Sequence, residues 1–188
     1  VELPPQGADL LLALSAILKG AVVLISGRDI RDLSARTPVG LWRAGGHGLE
    51  ICKPGEAPTA QPDEIAPDLS TKAKAITDPF DGVWIEEKGP VLAIHFRQNP
   101  AAESDLLDSF RALATDTLGY KAHHGKMVIE LKPEHANKGI ALSRLMQQPG
   151  FERRMPIMIG DDTTDEDAMR VAKNLNGFGI KVGEGQTC

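Results

Sequence analysis

Two neighbouring aspartates that follow an apolar segment late in the chain are the strongest candidates for chemistry. Asp161 and Asp162 come shortly after the apolar run 156–159. Adjacent carboxylates repel each other unless a cation lies beside them, and Mg²⁺ commonly takes one or two carboxylates together with water and substrate phosphate. We therefore predict a Mg²⁺ site at Asp161. Asp165 has a sufficient alternative explanation, because acidic side chains in the first turn of a helix interact favourably with its dipole.

Two further clusters predict binding of an anion. Ser26, Gly27 and Arg28 follow the apolar run 21–25, and a small hydroxyl with a glycine at such a turn leaves backbone N–H groups free to hold an anion. The alternative is an ordinary Ser-Gly turn. Lys138 stands at a predicted helix start, where the helix dipole disfavours a cation. This predicts an anionic partner, either a phosphate or the carboxylates, and a solvated surface lysine is the alternative.

Strands predicted in the middle of the chain alternate apolar side chains with long hydrogen-bonding ones. The hydrogen-bonding side chains are His95, Arg97, Lys126, Glu130 and Lys132. The apolar side chains point to the opposite face, where we expect helices to pack. A polyhydroxyl ligand needs donors and acceptors together, so the polar face is a candidate sugar-binding surface. The alternative is a solvent-exposed sheet face, which is common in antiparallel sheets.

Both ends of the chain alternate strand and helix signals, which predicts an α/β fold with a parallel sheet. The wholly apolar runs 21–25 and 156–159 predict strands that are buried on both faces. Asp9 is expected to cap a helix with a buried leucine and isoleucine stripe, and Thr164 is expected to cap another helix. Further elements are predicted as helices at 29–35 and 138–147 and as strands at 41–44 and 178–182.

The middle of the chain predicts a separate α+β unit. Four prolines between residues 52 and 67 make a helix or central strand there improbable, so this stretch is interpreted as a connection. Two predicted hairpins follow, at 83–97 and 120–132, with helices at 68–77 and 104–118. The fold class predicted is thus α/β, a Rossmann-like parallel-sheet core with an inserted α+β cap. The expected boundaries are 1–51 for the first part of the core, 52–133 for the cap and 134–188 for the second part.

Composition excludes several other classes of protein. The 188 residues are 41% hydrophobic and 25% charged, as in ordinary globular chains. A net charge of −5 argues against a general nucleic-acid binder. The longest apolar stretch, 10–18, is too short to span a bilayer and lacks a preceding basic segment, so neither a membrane partner nor a signal peptide is predicted. With only Cys52 and Cys188, no disulfide framework is expected, which favours a cytoplasmic location.

The motifs together resemble those of the haloacid-dehalogenase-like phosphatases and, more narrowly, those of trehalose-6-phosphate phosphatases. The broader resemblance rests on Leu-Ile-Ser-Gly-Arg at 24–28, on Lys138 and on Gly-Asp-Asp-Thr-Thr-Asp at 160–165. The narrower one adds Gly-His-Gly-Leu-Glu at 46–50, His-Phe-Arg at 95–97, the segment 124–133 and the Gly-Asp-Asp-x-Thr-Asp-Glu pattern. The resemblance covers essentially the whole chain.

The resemblance implies Mg²⁺-dependent hydrolysis of trehalose 6-phosphate to trehalose and phosphate, in trehalose biosynthesis. It implies that Ser26 and Lys138 hold the phosphoryl group, and that Asp161 ligates Mg²⁺ with support from Asp165. The residues that it implies in sugar contact or cap closure are Gly27, Arg28, His47, Arg97, Lys126 and Glu130. Glu50, His95, Lys132 and Asn137 are further members of that set.

The family's nucleophile motif, Asp-x-Asp-Gly-Thr after an apolar strand, does not occur in this sequence. The nearest string, at 78–82, differs in spacing and follows no apolar strand. We expect the motif just upstream of Val1, on a strand between the runs 21–25 and 156–159, and further core elements beyond Cys188. We accordingly expect no phosphatase activity from these residues alone. A phosphatase for another phosphorylated sugar and a non-catalytic phosphosugar- or Mg²⁺-binding module remain alternatives.

Overall fold

The computed structural model describes residues 3–60, 65 and 68–184, which form two compact units. Unit 1 consists of Val1–Ala60 and His135–Cys188, and unit 2 consists of Gln61–Glu134. In the sequence, unit 2 therefore lies between the two halves of unit 1. Unit 1 contains parallel strand pairs with helices, and unit 2 contains an antiparallel sheet, as the sequence predicts.

The predicted elements occur in the predicted order, with shifts of a few residues at their ends, and the short strand Glu50–Cys52 is an element that was not predicted. The first half of unit 1 contains α1 (Pro5–Ile17), β1 (Val23–Ile25), α2 (Ile30–Ala35), β2 (Trp42–Gly45) and β3 (Glu50–Cys52). Unit 2 contains α3 (Leu69–Thr77), β4 (Trp84–Lys88), β5 (Val91–His95), α4 (Glu103–Thr115), β6 (Tyr120–Gly125) and β7 (Val128–Pro133). The second half of unit 1 contains α5 (Lys138–Leu145), β8 (Ile157–Gly160), α6 (Thr163–Asn174) and β9 (Phe178–Lys181).

The strands form separate sheets within the described residues. In unit 1, β1 pairs with β2 in parallel and β2 pairs with β3 in antiparallel orientation, while β8 and β9 form a parallel pair of their own. In unit 2 the strand order is β4-β5-β7-β6 and every pair is antiparallel. The hairpins β4–β5 and β6–β7 are those that the sequence predicts.

The prediction for α1 is wrong in both its start and its buried face. The helix begins at Pro5 after an extended Pro4, because proline at the first helical position loses no helix hydrogen bond, so Asp9 lies inside the helix. Leu10 and Ile17, two members of the expected stripe, are 71% and 76% exposed. An apolar stripe identifies a face that can be buried, but burial also needs a packing partner, and the described residues provide none for this face.

The apolar strands of unit 1 are also less buried than predicted. All of β1 is half-buried, and Ile157 and Ile159 of β8 are 52% and 59% exposed. A strand is buried on both faces only when layers cover both sides of its sheet, and within the described part of the chain β8 pairs with β9 alone. No helix in that part has the length and apolar character needed to span a bilayer.

One apolar cluster in unit 1 connects the elements that carry the candidate site. Buried Met158 of β8 packs with Ala168 and Met169 of α6. Ile25, at the end of β1, and Leu142 of α5 pack against the same cluster. The segments that precede Ser26 and Asp161 and the helix that begins at Lys138 therefore share one packing centre.

Unit 2 has a core of its own between its sheet and two helices. The buried residues of this core from β5 and β7 are Leu92, Ile94, Ile129 and Leu131, and those from α3 and α4 include Leu69, Ala73, Leu106 and Phe110. The sheet's apolar face thus packs against the helices, as the period-2 alternation predicts. The opposite face of the sheet is left for the hydrogen-bonding side chains.

The segment after β3 is held to unit 1 by a buried arginine. Arg43 of β2 is 1% exposed, and its guanidinium donates to the carbonyl oxygens of Leu41, Lys53 and Glu56 at 3.3, 3.4 and 2.5 Å. A buried guanidinium needs such acceptors, and buried carbonyls need donors. Arg43 therefore fixes the turn after β3 rather than contributing to a functional site.

Replacing Arg43 with methionine is expected to lower the free energy of unfolding by about 1–3 kcal/mol or more, since it leaves carbonyl oxygens without donors. Denaturant unfolding of the full-length protein measures the change. The matched control is Arg170→Met, which removes an exposed arginine paired with Asp167 and should change the value by less than about 0.5 kcal/mol. Equal effects of the two substitutions would contradict the role assigned to Arg43.

Candidate functional site

The centre of the candidate site in unit 1 is a buried ion pair between α5 and α6. Lys138 Nζ lies 2.7 Å from Asp165 Oδ1, and the two side chains are only 9% and 7% exposed. The predicted anionic partner of this lysine is therefore the Asp165 carboxylate. An ammonium has three donors, and none of the described residues accepts from the other two. They remain available for a second anion.

Asp165 also organises the loop between β8 and α6. Its second oxygen, Oδ2, accepts hydrogen bonds from the backbone N–H groups of Asp161 and Asp162 at 3.1 and 3.0 Å. Both carboxylate oxygens are thus in use inside the protein, and the loop backbone is fixed by the same group that neutralises Lys138. Direct ligation of a metal by Asp165 would require one of these contacts to break.

This geometry requires a glycine at position 160. A Cβ atom on Gly160 would lie 2.3 Å from Asp165 Cγ, far inside van der Waals contact. Only hydrogen at this position allows the carboxylate to fold back against the end of β8. Gly160 therefore belongs to the site, although it carries no chemical group.

The two adjacent aspartates have different surroundings. Asp162 caps α6, accepting from Thr163 N at 2.6 Å, so the helix starts two positions earlier than the predicted Thr164 cap allows. Aspartate is favoured at this N-cap position because its carboxylate accepts hydrogen bonds from the first free N–H groups of the helix. Asp161 is exposed, and no described residue makes a hydrogen bond or ion pair with its side chain. Of the two, Asp161 is the carboxylate available to a ligand.

Asn137 uses both polar groups of its side chain in hydrogen bonds within unit 1. Its Oδ1 accepts from Gly139 N and Ile140 N at 2.7 and 3.2 Å, which caps α5 directly before Lys138. Its Nδ2 donates to Asp167 Oδ2 of α6 at 2.6 Å. The cap therefore connects the first turns of α5 and α6, whose side chains form the buried ion pair.

The predicted anion-binding turn after β1 is closely packed. Ser26 Oγ accepts from Arg28 N at 3.1 Å, and Arg28 itself is exposed and pairs with Asp32. His47 is only 3% exposed and lies against the turn. Its imidazole is so close to Gly27 that a Cβ atom there would come within 2.7 Å of the ring. In this structure His47 supports the Ser26–Gly27 backbone from inside.

Glu50 serves a structural network in unit 1. It accepts from Arg31 Nη1 at 3.2 Å and from Thr59 N at 2.9 Å, which fastens the segment before unit 2. Arg31 also pairs with Asp29, the cap of α2. Burial alone would raise the pKa of Asp29, but the hydrogen bonds and charge of Arg31 outweigh it and hold the pKa below its usual value.

The polar face of unit 2 carries its charges in neighbouring rungs. By the strand register, Glu86, Ala93 and Glu130 lie side by side on this face. Each glutamate pairs with a lysine two residues further along its own strand, Glu86 with Lys88 at 3.0 Å and Glu130 with Lys132 at 3.2 Å. Lys132 is only 3% exposed, so its side chain acts on the glutamate rather than extending into solvent.

An aromatic stack at one end of this face was missed by the sequence analysis. Trp84 and His95 are paired in the register, and their rings stack with centroids 4.0 Å apart at 17°. His95 Nε2 and Lys88 Nζ both lie 3.0 Å from Glu86 Oε2. Burial would raise the pKa of Glu86, but the hydrogen bonds and charges of Lys88 and His95 together outweigh it and lower the pKa. Alternation of Trp84 with Glu86 and Lys88 was the signal in the sequence.

Arg97 and Lys126 both follow the strand ends nearest this stack. Arg97 comes two residues after His95, and Lys126 directly follows Gly125, which shares a rung with His95 through Val128. Both side chains are exposed. The topology therefore brings the predicted residues Arg97, Lys126 and His95 to one end of the sheet, with Glu130 two register positions further in.

Of the aspartates in the described loop between β8 and α6 and in the first turn of α6, Asp161 is the one whose carboxylate is left for a metal ion. Within residues 3–60, 65 and 68–184, no three His, Cys, Asp or Glu side chains form a ready metal cluster. Mg²⁺ does not need one, because it is commonly bound through one or two carboxylates with water and substrate phosphate. Asp161 fits that requirement, whereas both oxygens of Asp165 are already engaged.

Asp165→Asn is expected to lower the free energy of unfolding by about 3–5 kcal/mol, because it leaves the buried Lys138 ammonium without a countercharge. Asp161→Asn is the matched control, because it also replaces a carboxylate with an amide but does so at an exposed position of the neighbouring loop. It should alter stability by no more than about 0.5 kcal/mol. Denaturant unfolding of the full-length protein compares them, and similar losses for both would show that the two aspartates do not differ as described.

Comparison with known proteins identifies the family. The trehalose-phosphatase family model matches residues 2–187. The chain is 35% identical over 185 residues to "Trehalose-6-phosphate phosphatase" of Escherichia coli (strain K12), covering 97% of this chain and 68% of the relative. It is 36% identical over 187 residues to "Probable trehalose-phosphate phosphatase" of Sinorhizobium fredii, covering 97% and 70%.

A solved structure shows the same fold. The Aspergillus fumigatus trehalose-6-phosphate phosphatase (crystal form 3) superposes with a TM-score of 0.67 at 24% identity, covering 100% of this chain and 79% of that one. Its similarity supports the core-and-cap architecture. Because the family match extends over almost the whole sequence, this chain belongs to the trehalose-phosphatase family.

Proposed function

We propose that the protein hydrolyses trehalose 6-phosphate to trehalose and inorganic phosphate, as a step of trehalose biosynthesis. Membership of the trehalose-phosphatase family supports a phosphatase. The single observation that carries the proposal is the buried Lys138–Asp165 pair, because it holds an ammonium with free donors next to the loop that carries the exposed Asp161. This is an arrangement suited to a phosphoryl group and a divalent cation.

Lys138 is proposed to hold the phosphoryl group. Asp165 is the countercharge of this buried side chain, so Lys138 would meet an incoming anion with little competing water. The cap formed by Asn137 fixes the start of α5 and therefore the base of the lysine side chain. Ser26 and Gly27 are proposed to add the hydroxyl and backbone N–H donors of their turn, which the His47 ring supports from behind.

Mg²⁺ is proposed as the cofactor, held through Asp161. When bound, it neutralises charge on the phosphoryl oxygens. Asp165 contributes indirectly, because its contacts with the N–H groups of residues 161 and 162 fix the backbone from which the Asp161 side chain extends. A cytoplasmic location stays a prediction from the sequence.

The proposed chemistry transfers the phosphoryl group twice. The first aspartate of the family's Asp-x-Asp motif, which these 188 residues do not contain, attacks phosphorus. The P–O bond to the sugar breaks as the motif's second aspartate donates a proton to the sugar oxygen, and that carboxylate then takes a proton from the attacking water. Water then hydrolyses the aspartyl-phosphate and releases inorganic phosphate. Lys138 stabilises the negative charge of the transferring group in both steps.

Unit 2 is proposed to act as the cap that recognises the sugar. Its polar face presents paired donors and acceptors, which match the hydroxyl groups of a disaccharide. Glu130, held by Lys132, is the proposed central acceptor, and Arg97 and Lys126 are proposed contacts at the end of the sheet. Arg28 is proposed to contribute from its exposed position beside Ser26.

The reaction is tested by phosphate release from a panel of sugar phosphates with the full-length protein. We expect kcat/KM for trehalose 6-phosphate to exceed that for glucose 6-phosphate by about 100-fold or more, because the missing second sugar leaves polar groups of the site unpaired. Chelation should abolish turnover, and added Mg²⁺ should restore it. Equal turnover of the two substrates would refute the disaccharide assignment while leaving the phosphatase assignment intact.

Glu130→Gln separates sugar recognition from phosphoryl transfer. Losing a charged acceptor should lower kcat/KM for trehalose 6-phosphate by about 10–100-fold, while kcat/KM for a nitrophenyl phosphate changes less than about two-fold. The control is Glu134→Gln, at an exposed glutamate just after β7, which should leave both unchanged. If Glu130→Gln leaves kcat/KM for trehalose 6-phosphate unchanged, the result contradicts this role and favours another phosphorylated sugar as the substrate.

A further inference from the structure

We propose that Trp84 is a stacking platform for a sugar ring of the disaccharide phosphate, and that it increases the preference for that substrate over small phosphoesters. The inference rests on the proposed function, which supplies the class of ligand. It adds an aromatic specificity residue that neither the motifs nor the family match points to.

Trp84 is half exposed without any role in the core of unit 2. Its side chain is 51% accessible, although an indole is among the largest apolar groups a protein can bury. The register places it on the polar face, opposite His95, whereas the core lies on the other face with the helices. Core packing therefore does not explain a tryptophan at this position.

The indole is held in a defined orientation. The His95 imidazole covers one of its faces, stacked at 4.0 Å and 17°. Glu86 in turn holds His95 through Nε2 at 3.0 Å, and Lys88 holds the same Glu86 oxygen at 3.0 Å. The chain of contacts from Lys88 to Trp84 orders the ring before any ligand arrives, which reduces the entropy lost on binding. Since half of the Trp84 surface is accessible among the described residues, the proposal places the ligand on the indole face opposite His95.

The surroundings of that face select a carbohydrate over a purely apolar ligand. A pyranose presents C–H groups on its ring faces and hydroxyl groups around its edge, and the partial negative charge above an indole attracts C–H groups. The polar groups needed at the edge lie on the same end of the sheet, where Arg97 and Lys126 follow the strands. The same face also carries Glu86 and Lys88 beside the stack. An aromatic surface and hydrogen-bonding groups on one face are the two features that a sugar ring requires.

Two substitutions test the platform in the full-length protein. Trp84→Ala should lower kcat/KM for trehalose 6-phosphate by about 10-fold while changing that for nitrophenyl phosphate less than about two-fold. Trp84→Phe should recover most of the loss, because it keeps an aromatic face. Leu118→Ala, at a fully exposed position in the same unit, is the control and should leave kcat/KM for both substrates unchanged.

A binding readout that needs no catalysis complements the kinetics. Titration with unphosphorylated trehalose should change the tryptophan emission of the wild-type protein, and Trp84→Phe should remove that change, because Trp42 is buried against Phe151. The platform would be overturned if the emission change persisted in Trp84→Phe. It would also be overturned if Trp84→Ala lowered kcat/KM equally for trehalose 6-phosphate and nitrophenyl phosphate. Trehalose binding through Trp84 without turnover of trehalose 6-phosphate would overturn the proposed reaction and leave the platform standing.

Discussion

The candidate site depends on one interaction, the buried ion pair between Lys138 and Asp165. An ammonium at the start of a helix is disfavoured by the helix dipole, and burial makes it more costly. Asp165 compensates both penalties and uses its second oxygen to fix the backbone of residues 161 and 162. The position of Lys138 and the shape of the acidic loop are therefore coupled, so neither can be changed alone. Gly160 is part of the same constraint, since any side chain there would displace the carboxylate.

Unit 2 applies a similar principle to its polar sheet face. Glu86 and Glu130 are each paired with a lysine on the same strand, so the carboxylates are oriented by neighbours in the sheet. Lys132 is buried while it makes this contact, and the fully buried Ala93 lies between the two glutamates on their shared rung. Ordering such charged groups before a ligand arrives is what allows a polar surface to discriminate among polyhydroxyl ligands.

The two units differ in how completely they bury their apolar residues. Unit 2 closes a core between one sheet face and two helices, with Leu92, Ile94 and Phe110 fully buried. Unit 1 divides its core into smaller clusters, and the described part of α1 and β8 exposes Leu10, Ile17 and Ile159. Alternation and helical stripes describe which faces are apolar in both units equally well. The difference arises from which packing partners are present, and no single segment encodes that.

Local sequence determined a large part of this protein. The order of strands and helices, the two hairpins and the polar faces of β5 and β7 follow from periodicity, and Ser26, Lys138 and Asp161 stand out by their chemistry and their place beside strands and helices. Tertiary structure decided what these residues do. Packing between α5 and α6 makes Asp165 the partner of Lys138. Elsewhere in unit 1 the fold places His47 inside against Gly27, and within unit 2 it buries Lys132. Likewise, only strand register stacks Trp84 on His95. Such contacts join residues far apart in the chain, so spacing along one segment carries no information about them.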